Sequence, residues 1–290
     1  MSDQTDASSR KRVVAVTGAT GYVGSLVAEG FRSAGFRVRQ LVRGGNQREG
    51  DVEYSLEQEV PPGALDGVDI LVHCAYDFSL TRREKIWAVN VLGTQRLFTM
   101  ALAAGVRRTI FISSMSAYRG TRQLYGLAKL AGEAMALSQG MRVIRLGLVY
   151  GANPGGMAGA LKRVGSLPLI PLPGAGSHQF TLHQDDLSRA LPVLAQAGEW
   201  PDRAIGLAYP VPVEFRLLLK RAIASDGGRC PPLIPIPWQV AYWGMRMAEL
   251  SPVRLPLRAD SLLGLVHPAP AVPLSGFVRE LGVELRPFSL

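Results

Sequence analysis

The chain has 290 residues, of which 47% are hydrophobic and 19% charged, and its formal net charge is +9 at pH 7. This length allows one large domain or two small ones, and the composition is that of an ordinary globular protein. No run of 18 apolar residues is present, so we expect no membrane-spanning helix. The basic residues are scattered without interleaved aromatics, which argues against nucleic-acid binding and favours an anionic cofactor or substrate. Two cysteines without neighbouring metal-ligand residues predict reduced thiols, a cytoplasmic protein and no metal site.

The first motif is the stretch VVAVTGATGYVG at 13–24. Its β-branched start predicts a buried strand, Val13–Thr17, and the pattern that follows predicts a helix over 22–34. Gly18, Gly21 and Gly24 lie between and within these elements at a spacing of three. A strand that passes through glycines into a helix presents free backbone N–H groups, which suit a pyrophosphate. The spacing is a variant of the commoner dinucleotide fingerprint, and a plain strand–turn–helix connection is the alternative.

Strands and helices then alternate along the chain. Further strands are predicted at 37–42, 70–75, 109–113 and 142–146, and further helices at 83–104 and 125–139. This order predicts an α/β fold, a Rossmann-type doubly wound parallel sheet with a smaller C-terminal substrate lobe. We expect a disordered tail at 1–11, the dinucleotide-binding core at 12–150, and mainly the substrate lobe at 151–290. Glycine and proline become frequent in that last part, from which one strand and one helix are allowed to return to the core.

The end of the second predicted strand bears on the choice of cofactor. An NAD site usually places an acidic residue about 20 residues after the glycines, but none lies between Glu29 and Glu49. Five arginines stand there instead: Arg32, Arg37, Arg39, Arg43 and Arg48. Arg43 follows the strand directly, where a guanidinium can grip a 2′-phosphate. The sequence therefore predicts NADP over NAD, with a solvated surface arginine as the alternative.

A second chemical motif is Tyr125-Gly-Leu-Ala-Lys129. Residues four apart lie on one face of a helix, and a nearby ammonium lowers the pKa of a tyrosine, which makes it a workable acid or base. Upstream, the predicted strand 109–113 runs into Ser113 and Ser114. Because ligands bind at the carboxyl ends of strands in such sheets, these hydroxyls are expected beside the cofactor.

With these motifs the chain resembles the short-chain dehydrogenase/reductase superfamily, in its extended or atypical branch of NAD-dependent epimerase/dehydratase-like proteins. The matching residues follow the order of the family from about 12 to 190. They are TGATGYVG at 17–24, NVLGT at 90–94, Ser113 and Ser114, YGLAK at 125–129, VYG at 149–151 and HQDD at 183–186.

The resemblance implies roles for individual residues. Ser114 would orient the substrate oxygen, Tyr125 would exchange its proton, and Lys129 would lower the tyrosine pKa and hold the nicotinamide ribose. Asn90 would support a proton relay, with a structural hydrogen bond as the alternative, and the choice of Ser114 over Ser113 stays open. The implied cofactor contacts are Gly18, Thr20, Gly21, Tyr22, Val23, Gly24, Arg43, Ala75, Ser113, Tyr125, Lys129 and Leu148.

The implied function is an NAD(P)-dependent oxidoreductase, epimerase or dehydratase acting on a hydroxyl or carbonyl carbon, with nucleotide sugars among the candidate small-molecule substrates. The alternative is a non-catalytic NADP-binding sensor or assembly protein. By analogy, the helices at 83–104 and 125–139 would pair in a homodimer.

Other residues have structural interpretations. His73 on a predicted buried strand is expected to be a satisfied core histidine. For His183, core packing and a substrate-lobe contact stay open, and Asp186 is expected to cap a helix over 187–195. The cluster of Trp238, Trp243, Met245 and Met247 is expected to form an apolar helix face within the C-terminal lobe, with a membrane-facing helix as the alternative.

Overall fold

The structure is a computed structural model that describes residues 11–44, 50–152, 154–174, 176–224, 230–249 and 257–289. Of the expected tail at 1–11, residues 1–10 lie outside the described residues, as does Arg48. Within the described parts of the chain, no helix combines the length and apolar character needed to cross a bilayer.

The strands of the first half are β1 (Val13–Thr17), β2 (Arg37–Val42), β3 (Val52–Glu53), β4 (Ile70–His73), β5 (Arg108–Ser114), β6 (Arg142–Leu146) and β7 (Leu148–Tyr150). Those of the second half are β8 (Ile170–Pro173), β9 (His178–Gln179), β10 (Thr181–His183), β11 (Ile205–Leu207), β12 (Val213–Glu214) and β13 (Leu233–Ile236). The predicted strands are present, although β4 ends at His73 rather than at residue 75.

The helices of the first half are α1 (Tyr22–Ser33), α2 (Arg83–Ile86), α3 (Leu92–Ala103) and α4 (Leu124–Ser138), and a π-helical turn at Trp87–Val91 joins α2 to α3. The second half contains α5 (Gly156–Val164), α6 (Gln184–Gln196), α7 (Phe215–Ala224), α8 (Trp238–Ala248), α9 (Ala259–Val266) and α10 (Ser275–Glu280). The predicted helix over 83–104 is therefore interrupted by one wider turn. Gly35 and Gly105 follow α1 and α3 with positive φ angles of 84° and 67°, the left-handed conformation that ends a helix.

The described residues form a seven-stranded sheet in the order β11-β6-β5-β4-β1-β2-β3, and all its pairs are parallel. The strand order reverses beside β1, where β4 lies on one side and β2 on the other. Ligands of doubly wound sheets bind at the carboxyl edge of such a switch point. The prediction of a Rossmann-type sheet is confirmed.

Elements from the second half extend this core. Strand β11 pairs with β6, and α6 packs so closely on α1 that a Cβ on Gly30 would lie 2.1 Å from the carbonyl oxygen of Ser188. Helix α10 also packs on β11, and Val278 belongs to the main core. A smaller assembly forms around a separate apolar cluster that includes Leu161, Ile170 and Leu218. Helix α8 packs on α9, and α9 contacts α4.

Candidate active site

The glycine loop after β1 brings the chain close to the end of β4. Gly18 has φ of 65°, and a Cβ there would lie 2.8 Å from the Cα of Ala75. Thr17 holds the same junction, because its hydroxyl accepts hydrogen bonds from the backbone N–H groups of Cys74 (3.1 Å) and Ala75 (3.2 Å). Only a glycine fits at position 18, so this part of the motif is set by backbone contact.

The other two glycines differ from each other. A Cβ on Gly24 would lie 2.1 Å from the carbonyl oxygen of Gly18, whereas one on Gly21 would lie 3.2 Å from that atom. Gly24 therefore allows α1 to pack against the loop, and Gly21 is exposed beside Thr20. The space in front of Gly21 is the kind of cradle that a phosphate group needs.

The N-terminus of α1, whose residues are all described, carries no side-chain cap and no acidic residue in its first turn. Its first amides thus lack a side-chain acceptor, and the helix dipole favours an anion there. Val23 packs on the core, while the Tyr22 hydroxyl donates to Gln184 Oε1 (3.3 Å). The residues present therefore fit the pyrophosphate of a dinucleotide.

Arg43, at the end of β2, has a side chain that is 73% exposed and lies 3.7 Å from Asp77. Burial alone would raise the pKa of Asp77, but hydrogen bonds from Ser79 and the charge of Arg43 outweigh it and hold that pKa below its usual value. The structure also brings Glu53 close, since a Cβ on Gly44 would lie 2.9 Å from its Oε1. Arg43 is free to turn toward a phosphate, yet Asp77 lies beside it and Glu53 lies beside the neighbouring Gly44.

Ser113 and Ser114 point to different partners because successive strand residues face opposite sides of the sheet. The Ser113 hydroxyl donates to Glu133 Oε1 (2.5 Å), and Glu133 also binds the Arg145 guanidinium at 2.8 and 2.6 Å. The Ser114 hydroxyl instead accepts a hydrogen bond from the backbone N–H of Ser116 (3.1 Å), and its interaction with Tyr125 lowers the pKa of that phenol. The structure thus brings Ser114 to the tyrosine and keeps the hydroxyl of Ser113 in a buried ionic network.

Tyr125 lies in the first turn of α4, against two further aromatic side chains. Its ring centroid is 4.9 Å from that of Tyr76 and 5.3 Å from that of Phe78. Burial raises the pKa of Tyr125 to about 12, and the interaction with Ser114 opposes this rise. Desolvation thus dominates the pKa of Tyr125, and the role of Lys129 in lowering it stays a prediction.

Lys129 follows one turn later and is buried. Its Nζ donates to the carbonyl oxygen of Ile112 (2.8 Å) and lies 6.0 Å from the centre of the Tyr125 ring. Burial lowers the pKa of Lys129 to about 8, although the charges of Cys74 and Glu133 act in the opposite direction. The ammonium and the phenol share one helix face, as the spacing predicts, but the lysine is held by the backbone of β5.

Asn90 lies in the π-helical turn and holds the loop that follows β4. Its Oδ1 accepts from the backbone N–H of Asp77 (2.7 Å), and its Nδ2 donates to the carbonyl oxygen of Asp77 (3.4 Å). This is a structural hydrogen-bond pair, the alternative stated for Asn90, and it fixes the backbone beside Arg43. A π-turn within a helix often marks a functional site.

Two further candidates, His73 and Leu148, lie on β4 and β7. His73 is a core histidine, as predicted, since its Nδ1 and Nε2 lie 2.7 and 2.9 Å from the hydroxyls of Thr17 and Thr94. Burial lowers its pKa to about 3. Leu148, on β7, lines a small apolar cavity with Tyr150 and Phe288.

The prediction for Asp186 is wrong. Helix α6 begins at Gln184, and the cap is His183, whose Nδ1 accepts from the backbone N–H of Asp185 (3.2 Å). Asp186 is buried in the first turn of α6, where it pairs with Arg189 (2.5 Å) and Arg286 (2.9 Å). The C-terminal segment supplies Arg286, so a sequence pattern within the motif could not reveal this pair.

Two residues near Tyr125 were missed by the sequence reasoning. Asp260, on α9, accepts hydrogen bonds from the first two backbone N–H groups of α4. Glu133, one turn after Lys129 on α4, anchors Ser113. Its i+4 spacing from Lys129 was a usable signal, but nothing local marks Asp260.

The comparisons with known proteins agree with this architecture. A model of the NAD dependent epimerase/dehydratase family matches residues 14–199, more than half of the chain. The chain is similar to the ceramide reductase of Caulobacter vibrioides (strain NA1000 / CB15N), with 28% identity over 195 residues, which are 64% of this chain and 61% of that protein. It is also similar to the UDP-glucose 4-epimerase of Streptomyces lividans, with 32% identity over 174 residues, 48% of this chain and 53% of that protein.

Both curated relatives are thus matched over less than two thirds of their length. Among solved structures, the crystal structure of gox2253 superposes with a TM-score of 0.71 over 96% of this chain and 94% of that chain, at 23% identity, which supports the fold. The length of the family match, the glycine loop and the parallel sheet lead to one conclusion: the chain belongs to the NAD dependent epimerase/dehydratase family.

Proposed function

We propose that this protein is an NADP-dependent enzyme that interconverts a hydroxyl and a carbonyl group. Its proposed catalytic residues are Ser114, Tyr125 and Lys129. The observation that carries the proposal is the meeting of Ser114, at the end of β5, with Tyr125 on α4, whose ring centre lies 6.0 Å from the Lys129 ammonium. Ser114 ends β5, and the carboxyl end of this strand lies at the same edge of the parallel sheet as the glycine loop after β1. A protein that only binds a dinucleotide does not need a hydroxyl pair of this kind.

The chemistry follows from the protonation states. A bound nicotinamide dinucleotide supplies or accepts a hydride at the substrate carbon. Tyr125 is a neutral phenol at pH 7 because its pKa is about 12, so it is suited to donate a proton to a substrate oxygen that gains negative charge. Ser114 would hold the same oxygen by a hydrogen bond, and the Lys129 ammonium would stabilise the phenolate left after transfer. The neutral state of Tyr125 thus favours carbonyl reduction.

The cofactor proposal rests on Arg43 and the uncapped N-terminus of α1. Arg43 is exposed and supplies a planar donor that matches a 2′-phosphate, and its weak pairing with Asp77 leaves donors free. Glu53 and Asp77 reduce this preference without removing it, since neither forms a close bidentate pair with Arg43 among the described contacts. We therefore assign NADP(H) over NAD(H).

The aromatic side chains around Tyr125 favour a substrate that is largely apolar. Tyr76 and Phe78 contact the tyrosine ring, and Phe78 is 62% exposed, so it offers a free aromatic face beside the reacting hydroxyl. Contact with such a face favours an alkyl or fused-ring body over a heavily hydroxylated sugar. The similarity to a ceramide reductase, a protein named for a lipid substrate, points the same way. We propose a long-chain or ring-bearing ketone or alcohol as the substrate class.

The test is a panel of long-chain ketones, fused-ring ketones and UDP-linked keto-sugars, followed by NADPH consumption and by product analysis for epimers. We expect turnover with an apolar ketone, and a loss of at least about 100-fold in kcat for Tyr125→Phe with unchanged NADPH affinity. Tyr242→Phe, on α8, is the matched control and should keep wild-type turnover. Wild-type turnover by Tyr125→Phe would remove the proton role, and tight NADPH binding without turnover on any substrate would favour the non-catalytic alternative.

A further inference from the structure

Helix α8 leaves an apolar face without a partner among the described residues. Its sequence, WQVAYWGMRMA, contains only two polar side chains besides the phenol of Tyr242, and they are Gln239 and Arg246. A helix that is apolar on all sides is normally buried, yet none of the eleven residues of α8 is buried. The expectation that this segment forms an apolar face inside the lobe is therefore only half correct, because α8 packs on α9 and β8 along one side alone.

The exposed side of α8 is a narrow apolar stripe. Val240, Trp243 and Met247 are 63%, 66% and 66% exposed, and their spacing of three and four places them on one face. Ile234, on the strand that leads into α8, is 47% exposed, and Leu217, on α7, is 45% exposed. We call these five residues the α7–α8 apolar surface.

Basic side chains accompany this surface. Arg216, Lys220 and Arg221 are exposed on α7 and border the segment from Pro231 to Leu233, which continues through β13 into α8. Together with Arg246 they give four basic residues, and the described residues between 215 and 248 include no acidic one. Asp226 lies outside the described residues, and acidic side chains flank the segment at Glu214 and at Glu249, which pairs with Arg246 at 3.1 Å.

We propose that the α7–α8 apolar surface docks on an anionic lipid bilayer, with the apolar stripe of α8 at the level of the headgroups. Tryptophan and methionine side chains of an amphipathic helix insert at this depth, and tryptophan prefers the interface because its ring combines an apolar body with an N–H donor. Exposed arginine and lysine side chains beside the stripe then meet the negative surface potential of the leaflet. The net charge of +9 adds long-range attraction of the same sign.

A second copy of the chain fits this surface less well than a bilayer does. A two-fold interface places the same patch against itself, so Arg216, Lys220 and Arg221 would face their own copies, and the described residues from 215 to 248 offer them no acidic counterpart. An acidic membrane supplies the missing charge and an apolar medium together. The docking does not depend on the proposed reaction, because vesicle binding is measured without turnover.

The experiment is co-sedimentation of the full chain with large unilamellar vesicles, either equal parts phosphatidylglycerol and phosphatidylcholine or phosphatidylcholine alone. We expect binding to the anionic vesicles that weakens between about 50 and 500 mM salt, because added ions screen the basic residues. Trp243→Ser/Met247→Ser should lower the affinity at least about tenfold, and Lys220→Gln/Arg221→Gln roughly thirtyfold. These positions are exposed, so both variants should keep the wild-type circular dichroism spectrum and NADPH affinity.

Matched controls alter equally exposed residues elsewhere. Leu102→Ser, on α3, and Arg37→Gln/Arg107→Gln should bind anionic vesicles as the wild type does. Brominated lipids should quench the fluorescence of the wild type more than that of Trp243→Phe, which reports the depth of Trp243. The proposal is overturned if the protein binds neither kind of vesicle, or if the control variants lose as much binding as Trp243→Ser/Met247→Ser. It is also overturned if light scattering shows a dimer that Trp243→Ser/Met247→Ser dissociates while vesicle binding is absent.

Discussion

Asp260 caps the helix that carries Tyr125, although the two residues are 135 positions apart. Its Oδ1 accepts from the backbone N–H of Leu124 at 2.7 Å, and its Oδ2 accepts from that of Tyr125 at 3.3 Å. Gln123, the residue at the N-cap position of α4, makes no capping hydrogen bond with its side chain. Two residues earlier, Arg258 donates to the carbonyl oxygens of Phe78 and Leu80. One short segment before and within α9 therefore holds both the tyrosine helix and the loop that carries Phe78.

The first prediction follows from this cap. Asp260→Ala leaves two helix N–H groups without an acceptor, so we expect a loss of about 1 kcal/mol in stability and a Tm lower by about 2–4 °C. Because Tyr125 is displaced while the glycine loop is untouched, kcat should fall and the NADPH affinity should stay within about twofold. Asp260→Asn, which keeps one acceptor oxygen, is the matched control. Its stability and its kcat should lie between those of the wild type and those of Asp260→Ala. Equal kcat values for Asp260→Ala and the wild type would show that the cap is structural only.

A second prediction concerns cofactor choice. Arg43→Glu removes the donor for a 2′-phosphate and adds repulsion, so a preference for NADPH of roughly ten- to a hundredfold should disappear or invert. Glu53→Gln should strengthen NADPH binding, because it removes a negative charge beside Gly44. Fluorescence titrations with both cofactors measure these effects, and Arg37→Glu, at the exposed start of the same strand, should leave them unchanged. If wild-type protein binds NADH as tightly as NADPH, the role assigned to Arg43 is wrong.

The glycine loop allows a third prediction that separates folding from binding. Gly24→Ala places a methyl group against the carbonyl oxygen of Gly18, so we expect a loss of about 1–3 kcal/mol in stability. Gly21→Ala meets that oxygen at 3.2 Å and should fold, but its methyl group occupies the cradle and should weaken NADPH binding at least about tenfold. Chemical unfolding and cofactor titration measure the two effects. Gly198→Ala is the control, because nothing lies within 4 Å of a Cβ at that position, and it should change neither the stability nor the NADPH affinity. Normal NADPH binding by Gly21→Ala would contradict the assignment of Gly21 to the phosphate site.

Lys129 leads to a pH prediction. Its pKa is about 8, so the ammonium predominates below pH 8 and is lost above it. A cofactor that contacts the ammonium raises this pKa by linkage, so NADPH affinity should be highest below pH 8 and fall as the pH rises through 8 toward the pKa of the bound state. The expected fall is roughly tenfold, the scale of one charge-assisted hydrogen bond, measured by titration between pH 6.5 and 9.5. Lys129→Met should bind more weakly and show a flat profile, and an equally steep profile in that variant would assign the titration to another group.

Much of the fold could be predicted from local sequence. The β-branched run at Val13–Thr17, the spacing of the three glycines and the helical period after them act within about a dozen residues, and the structure has them in place. The spacing of Tyr125 and Lys129 likewise places both on one helix face, because the geometry of an α-helix needs no distant partner. The fold class follows from the same local patterns in alternation.

Tertiary structure alone decided the chemical state of these residues. Ser113 and Ser114 are adjacent in sequence, but Ser113 donates to Glu133 in a buried ionic network, whereas Ser114 interacts with Tyr125. The pKa of Tyr125 rises rather than falls because burial removes water from the phenol, and burial is set by aromatic neighbours that other segments supply. The cap of Asp260 on α4 joins residues 135 positions apart, so no local pattern could show it. A sequence specifies which groups are available, and only the packed chain decides which of them lose water and which charges they meet.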